Sequence, residues 1–365
     1  MAELQMLGVD RVKKIASMFL LFIILTYTFG RLGEYFVTIP GFILDWEMYW
    51  KATHNFSINY EGVRIFNPPW TLALLWPITI WPFAVSGGFF VFSTLVTLAL
   101  SVPRKSNLFK WGSYLLLLSL SYPAARQLVD GNMQFLIILG VLLFLWALET
   151  ETPWAAAASL ILLSSKPQES WLLLLSAALW VLLKWPREKI AKVAALSVIY
   201  VVPFLIWKWP AWFEALRRFP IGSDIDSSIW GALSRFELPE PVIFGSWIVV
   251  LLATLWGLQQ GWSKLRNHEV AMLITASMLL APYSGSSFLV PFVIGVFPVL
   301  QSGSFVGYVL LALYYLPYLF LGQTSIRAEW EYTYWTGVLL LTWAALLWMI
   351  RAGKLSEKQS LPTNN

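Results

Sequence analysis

The chain reads as long runs of apolar residues separated by short polar breaks. Within a run the apolar positions cover every side, which is the pattern of a helix buried all round or facing lipid. The runs predict helices at 15–32, 83–102, 111–122, 135–148, 154–164, 171–183, 193–207, 242–258, 270–280, 288–300, 306–321 and 335–350. A bilayer crossing takes about 20 apolar residues. The pattern therefore predicts an all-α polytopic membrane protein with about 12 transmembrane helices, some of them partly embedded. One membrane domain, 1–353, is expected, followed by an unstructured polar tail, 354–365.

The break at 36–70 is the first long polar interruption. It holds Asp45, Glu47, Lys51, His54, Glu61 and Arg64, and it ends in Phe66-Asn67-Pro68-Pro69-Trp70. The next stretch, 70–81, is apolar but short and carries Pro77. Twelve residues of helix rise about 18 Å, too little for a hydrocarbon core of about 30 Å. An interfacial helix is the expectation, entered through prolines that cost no hydrogen bond at a helix start.

Composition sharpens this picture. The chain is 58% hydrophobic and 12% charged, against about 25% charged in soluble domains. Its 22 Trp and 14 Tyr suit aromatic belts at the two interfaces. There is no cysteine, so disulfides, thiol nucleophiles and zinc–thiolate sites are excluded. With His54 and His268 as the two histidines, a histidine-built metal site is not expected. The net charge of +5 invites a nucleic-acid reading, but the positive-inside bias of membrane proteins accounts for it. With a retained first span and a non-crossing 70–81 helix, 15 of the 25 Lys and Arg fall on the cytoplasmic side. If that helix crossed, 10 would. Both termini are thus expected in the cytoplasm, with the protein in the cytoplasmic membrane. Of the 20 Asp and Glu, 13 fall outside, so the outer face is where polar chemistry gathers.

Several outer segments carry candidate chemistry. Asp45 sits beside Ile43, Leu44 and Trp46; partial desolvation raises a carboxyl pKa and makes a better base. Glu47 competes with it for that role. Asp130-Gly131-Asn132-Met133-Gln134 reads as a helix opening, where Asp130 or Asn132 caps the helix and exposed amides favour an anion. Arg126 and Gln127 precede it. Ser164-Ser165-Lys166-Pro167-Gln168-Glu169 breaks about thirty otherwise apolar residues. A lysine at membrane level usually faces a cavity or a partner. Lys166 is thus a candidate for holding a lipid phosphate, and pairing with Glu169 or Asp130 is the structural alternative. The stretch 208–241 is expected as an outer loop, where Arg217 and Arg218 either bind phosphate or snorkel from an interfacial helix. Ala281-Pro282-Tyr283-Ser284-Gly285-Ser286-Ser287 is a small-residue turn with hydroxyls suited to sugar.

Taken in order, these segments resemble glycosyltransferase family 87, of the GT-C class. Asp45 with Tyr49 and Ala52 is similar to the family's first-loop aspartate. Phe66-Asn67-Pro68-Pro69 resembles its aromatic-x-Pro-Pro segment. Gly131-Asn132-Met133-Gln134 resembles its Gly-Gln-x-Asn opening with the amides exchanged, and Lys166-Pro167-Gln168 its Lys-Pro-Gln turn. Ala281-Pro282-Tyr283-Ser284 resembles its Ser-Pro turn, although the histidine that many members carry just after it is replaced by Ser286-Ser287-Phe288.

The resemblance implies transfer of a sugar, typically mannose, from a polyprenyl-phosphate donor to a hydroxyl of a glycolipid or glycan, outside the membrane. Asp45 is then the general base of an inverting reaction. Glu47, Tyr49, Asn67, Arg126, Asn132, Gln134, Lys166, Gln168, Tyr283 and Ser284 are the expected substrate contacts. No cofactor is required, although a divalent cation is compatible with the chemistry. Membrane lipids are the surrounding partners, and no nucleic acid is expected. A transporter or lipid-linked sugar flippase is the alternative from another class. Against it stand the absence of an internal repeat and the few ionisable residues within the spans.

Overall fold

The computed structural model describes residues 28, 31, 43–63, 65–102, 107–218, 226–259, 265, 267–285, 288–301, 304–320 and 328–359. All of the expected first span except residues 28 and 31 lies outside the described residues, as do Arg64, Ser286 and Ser287. The described elements are all helical. Among the described residues, four helices are long and apolar enough to cross a membrane: Phe83–Ser101, Arg187–Arg217, Glu240–Leu258 and Trp330–Ala352. The other apolar runs form shorter helices, among them Gln134–Thr150, Pro153–Leu163 and Phe305–Leu319.

The first long polar segment opens with α1 (Leu44–Thr53). The expected single helix at 70–81 is instead two short ones, α2 (Pro69–Leu74) and α3 (Trp76–Thr79). Then follow α4 (Phe83–Ser101), α5 (Leu108–Ser119), α6 (Tyr122–Asp130), α7 (Gln134–Thr150), α8 (Pro153–Leu163) and α9 (Pro167–Lys184). Next comes α10 (Arg187–Arg217), which corrects the expected loop at 208–241: the helix runs through Pro203 and Pro210. Its apolar flank faces outward, with Ile199 and Ile206 largely exposed, as a lipid-facing surface requires. At its end Arg217 lies over the Phe213 ring and near Glu214, the geometry of a snorkelling side chain.

Beyond it lie α11 (Ile229–Arg235), α12 (Glu240–Leu258) and α13 (Asn267–Leu279). The run expected at 288–300 contains α14 (Leu289–Pro291), a π-helical stretch (Phe292–Val296) and α15 (Phe297–Gln301). The chain closes with α16 (Phe305–Tyr315), α17 (Pro317–Phe320) and α18 (Ala328–Gln359). The last helix reaches Gln359, so the start of the polar tail is helical, against expectation.

Among the described residues, two apolar clusters hold the fold. The larger surrounds α13, whose residues Val270–Leu279 are all buried, between α9, α12 and α18. The smaller joins the first long polar segment to α4 and contains Ile43, Trp46, Tyr49, Tyr60, Leu72 and Phe90. Trp46 anchors it. Its ring stacks on Phe90 at 4.9 Å and its indole N–H donates to Ser86 Oγ at 3.0 Å. An aromatic of this size buries about 200 Å², so α1 is fixed against α4 and Asp45 is held with it.

Candidate active site

Asp45 follows a left-handed residue, Ile43 (φ 50°), whose N–H donates to Val129 O at 2.6 Å. That bond ties α1 to the end of α6. Gly131 completes the junction. It has φ 74°, and a Cβ there would stand 2.7 Å from Trp46 N and 2.9 Å from Ile43 Cα. Glycine tolerates both the backbone angle and the approach. Gly131→Ala is expected to cost roughly 1–3 kcal/mol, seen as a lower melting temperature in detergent. An unchanged melt would mean that the contact is not rigid.

The junction corrects one expectation. Asp130 ends α6 instead of opening α7, and the residue before α7 is Met133, without a side-chain cap. Asn132 is therefore available for another task. Its amide Nδ2 donates to Asp45 Oδ2 at 3.3 Å, and its Oδ1 accepts from Lys166 Nζ at 2.8 Å. Lys166 also pairs with Glu169. Both are nearly inaccessible, at 5% and 1% exposed. Three segments distant in the chain thus meet in one chain of bonds, Asp45–Asn132–Lys166–Glu169.

The Lys166 turn has its own support. Asn67 Nδ2 donates to Ser165 O at 2.9 Å, and Trp70 Nε1 donates to Ser164 Oγ at 2.9 Å. Tyr60 donates in turn to Asn67 O at 2.7 Å. Asn67 therefore acts through the backbone that carries Lys166.

Asp45 is half-buried. Burial, with the Asp130 carboxylate nearby, pushes its carboxyl up to about 6, against the pull of Lys166, Asn132 and Arg126. Glu47 differs sharply. It pairs with Lys51 at 2.6 Å on the exposed side of α1. Tyr49 is buried on the same helix, within electrostatic range of Asp45, Glu169 and Tyr283. Tyr283 is likewise within range of Asp45 and Glu169. Its neighbour Ser284 is fully buried.

Other expected contacts lie elsewhere. Gln134 is fully buried, and its Oε1 accepts from Leu289 N and Val290 N at 2.9 and 3.3 Å. It ties α7 to the start of α14. Gln168 is half-buried in the first turn of α9, and none of the bonds of this cluster involves it. Arg126 pairs with Asp130 at 3.2 Å and lies near Glu331 and Tyr332. Lys166 and Arg126 are thus each balanced by a carboxylate. Sequence reading missed the anchors Trp46 and Ser86. It also passed over Glu331, which accepts from Tyr122 at 3.0 Å. Among the described residues, no group of three or more His, Asp or Glu gathers in a metal-binding arrangement.

The family model described as Glycosyltransferase family 87 matches residues 66–284. Comparison with curated proteins and with solved structures gave no match. The matched range includes Asn67, Asn132, Lys166 and Glu169. Asp45 precedes it.

Proposed function

The chain belongs to glycosyltransferase family 87, and we propose that this membrane glycosyltransferase uses a polyprenyl-phosphate sugar as donor, with mannose as the sugar. The acceptor is a hydroxyl of a glycolipid or glycan. In this reading the chain is of the GT-C type and crosses the cytoplasmic membrane about twelve times, with both termini inside. The chemistry is at the outer face. The observation that carries the reading is the bonded series Asp45–Asn132–Lys166–Glu169, which sets a candidate base beside a candidate phosphate-binding cation.

Asp45 takes the acceptor hydroxyl proton as that oxygen attacks the anomeric carbon. The bond from that carbon to the phosphate oxygen breaks, inverting the centre. The donor phosphodiester carries one negative charge and the departing polyprenyl phosphate carries two. Asp45 loses a charge as the phosphate gains one, so the total in the cleft is constant. A base with a raised pKa keeps the proton it takes. Lys166 stands where negative charge grows, and a fixed cation there stabilises the transition state. Asn132 links the two and holds the Asp45 carboxylate in place. Asn67 steadies the turn that carries Lys166, while Tyr49 and Tyr283 border the sugar.

Protein purified in detergent, given polyprenyl-phosphate mannose and a panel of alkyl glycosides, is expected to form a glycosylated product. The base must be deprotonated. The ratio kcat/KM should therefore rise about tenfold per pH unit below about 6 and level off above it. A flat profile between pH 5 and 7 would rule out Asp45 as the titrating base.

A further inference from the structure

Asp226 lies outside the chemistry described so far, yet it is fully buried. Its Oδ1 accepts from Ser228 N at 2.9 Å and from Ser284 N at 2.8 Å, and its Oδ2 accepts from Ser228 Oγ at 2.8 Å. All three bonds are donated to it, as an ionised carboxylate requires. Burial pushes its carboxyl up, while these bonds and the nearby Arg235 pull it down. The contact is two-way: Ser227 N donates to Ser284 O at 2.6 Å, and Thr336 Oγ1 of α18 donates to Ser227 O at 2.9 Å. Both backbone groups of Ser284 are thus fixed. The Ser284 hydroxyl is buried and takes no part in these bonds.

The element around Asp226 is built to this fit. Ser228 Oγ accepts from Gly231 N at 3.1 Å and caps α11. A Cβ at Gly231 would stand 2.6 Å from Asp226 Cβ and Cγ. Tyr283 precedes Ser284 directly, and Tyr332, Asp226, Asp45 and Glu169 all lie within electrostatic range of it.

We propose that Asp226 is a positioning residue: by holding Ser284 it sets the Tyr283 side chain against the Asp45 cleft, where Tyr283 binds the transferred sugar. This rests on the transferase reading above. A Tyr283 hydroxyl displaced by about 1 Å is expected to cost on the order of 100-fold in transfer.

The test is a double-mutant cycle on the full chain in detergent, with polyprenyl-phosphate mannose as donor. Asp226→Ala and Tyr283→Phe should each raise the donor KM or lower kcat/KM. The double variant should lose no more than the worse single one. Asp226→Asn keeps an acceptor for the two N–H groups and should rescue most of the loss. Where Asp226→Ala does not fold, Gly231→Ala, which displaces the carboxylate without altering it, takes its place in the cycle. Losses that multiply, or full activity in Asp226→Ala, overturn the proposal. Failure of the transferase reading looks different, because the wild type itself would then form no glycosylated product from this donor.

Discussion

Asp45→Asn is expected to slow sugar transfer by about 10²- to 10⁴-fold, the usual contribution of a general base. The variant should remain folded. Asparagine keeps an oxygen for Asn132 Nδ2, which now bonds Asp45 Oδ2 at 3.3 Å. It should even melt slightly higher at neutral pH. A carboxyl whose pKa is raised by folding is destabilising once charged, and the loss sets in as pH rises from its ordinary 3.8 through about 6. Removing the charge relieves it. Glu47→Gln serves as the control, because Glu47 pairs with Lys51 on the exposed side of α1. Its rate should stay close to wild type. Initial rates by product chromatography, with thermal melts at pH 5 and 8, decide the matter. A folded Asp45→Asn with full activity removes Asp45 from the chemistry.

Lys166→Met should lose both stability and transfer. The substitution strands the Glu169 carboxylate, 1% exposed, without its cation. Breaking a buried pair from one side typically costs about 3–5 kcal/mol. Replacing both partners, Lys166→Met with Glu169→Leu, removes the stranded charge and should recover most of the melting temperature. Transfer should not recover, since the cation beside the leaving phosphate is still missing. Recovery of transfer along with stability would make the pair purely structural.

The sequence made the helical, membrane character legible because apolar runs record burial directly. Family 87 was legible in short motifs, and the match over 66–284 bears it out. Other features depended on contacts that the chain order does not display. The apolar run at 193–207 is expected to give way to a loop from 208, yet α10 continues through Pro210 to Arg217. Its C-terminal end is held by Trp212, which donates to Phe66 O at 2.9 Å and meets Trp70 edge-on. Asn132 read as a helix cap or a substrate contact, because nothing local shows that Lys166, 34 positions later, reaches back to it. Gln134 read as a substrate contact, and nothing local shows that its Oε1 accepts from two N–H groups at the start of α14. Asp226 had a local signal: Asp-Ser-Ser before Ile229 is a capping pattern. Its bond to Ser284, 58 positions away, had none.

The central claim is that donor phosphate meets Lys166 while the anomeric carbon faces Asp45. The Asp45→Asn variant, inactive and folded, should trap the donor. A structure of that variant with polyprenyl-phosphate mannose tests the claim most directly. The account predicts density for the phosphate against Lys166 Nζ, with the sugar between position 45 and Tyr283. Donor bound elsewhere, away from Asn132 and Lys166, would contradict it.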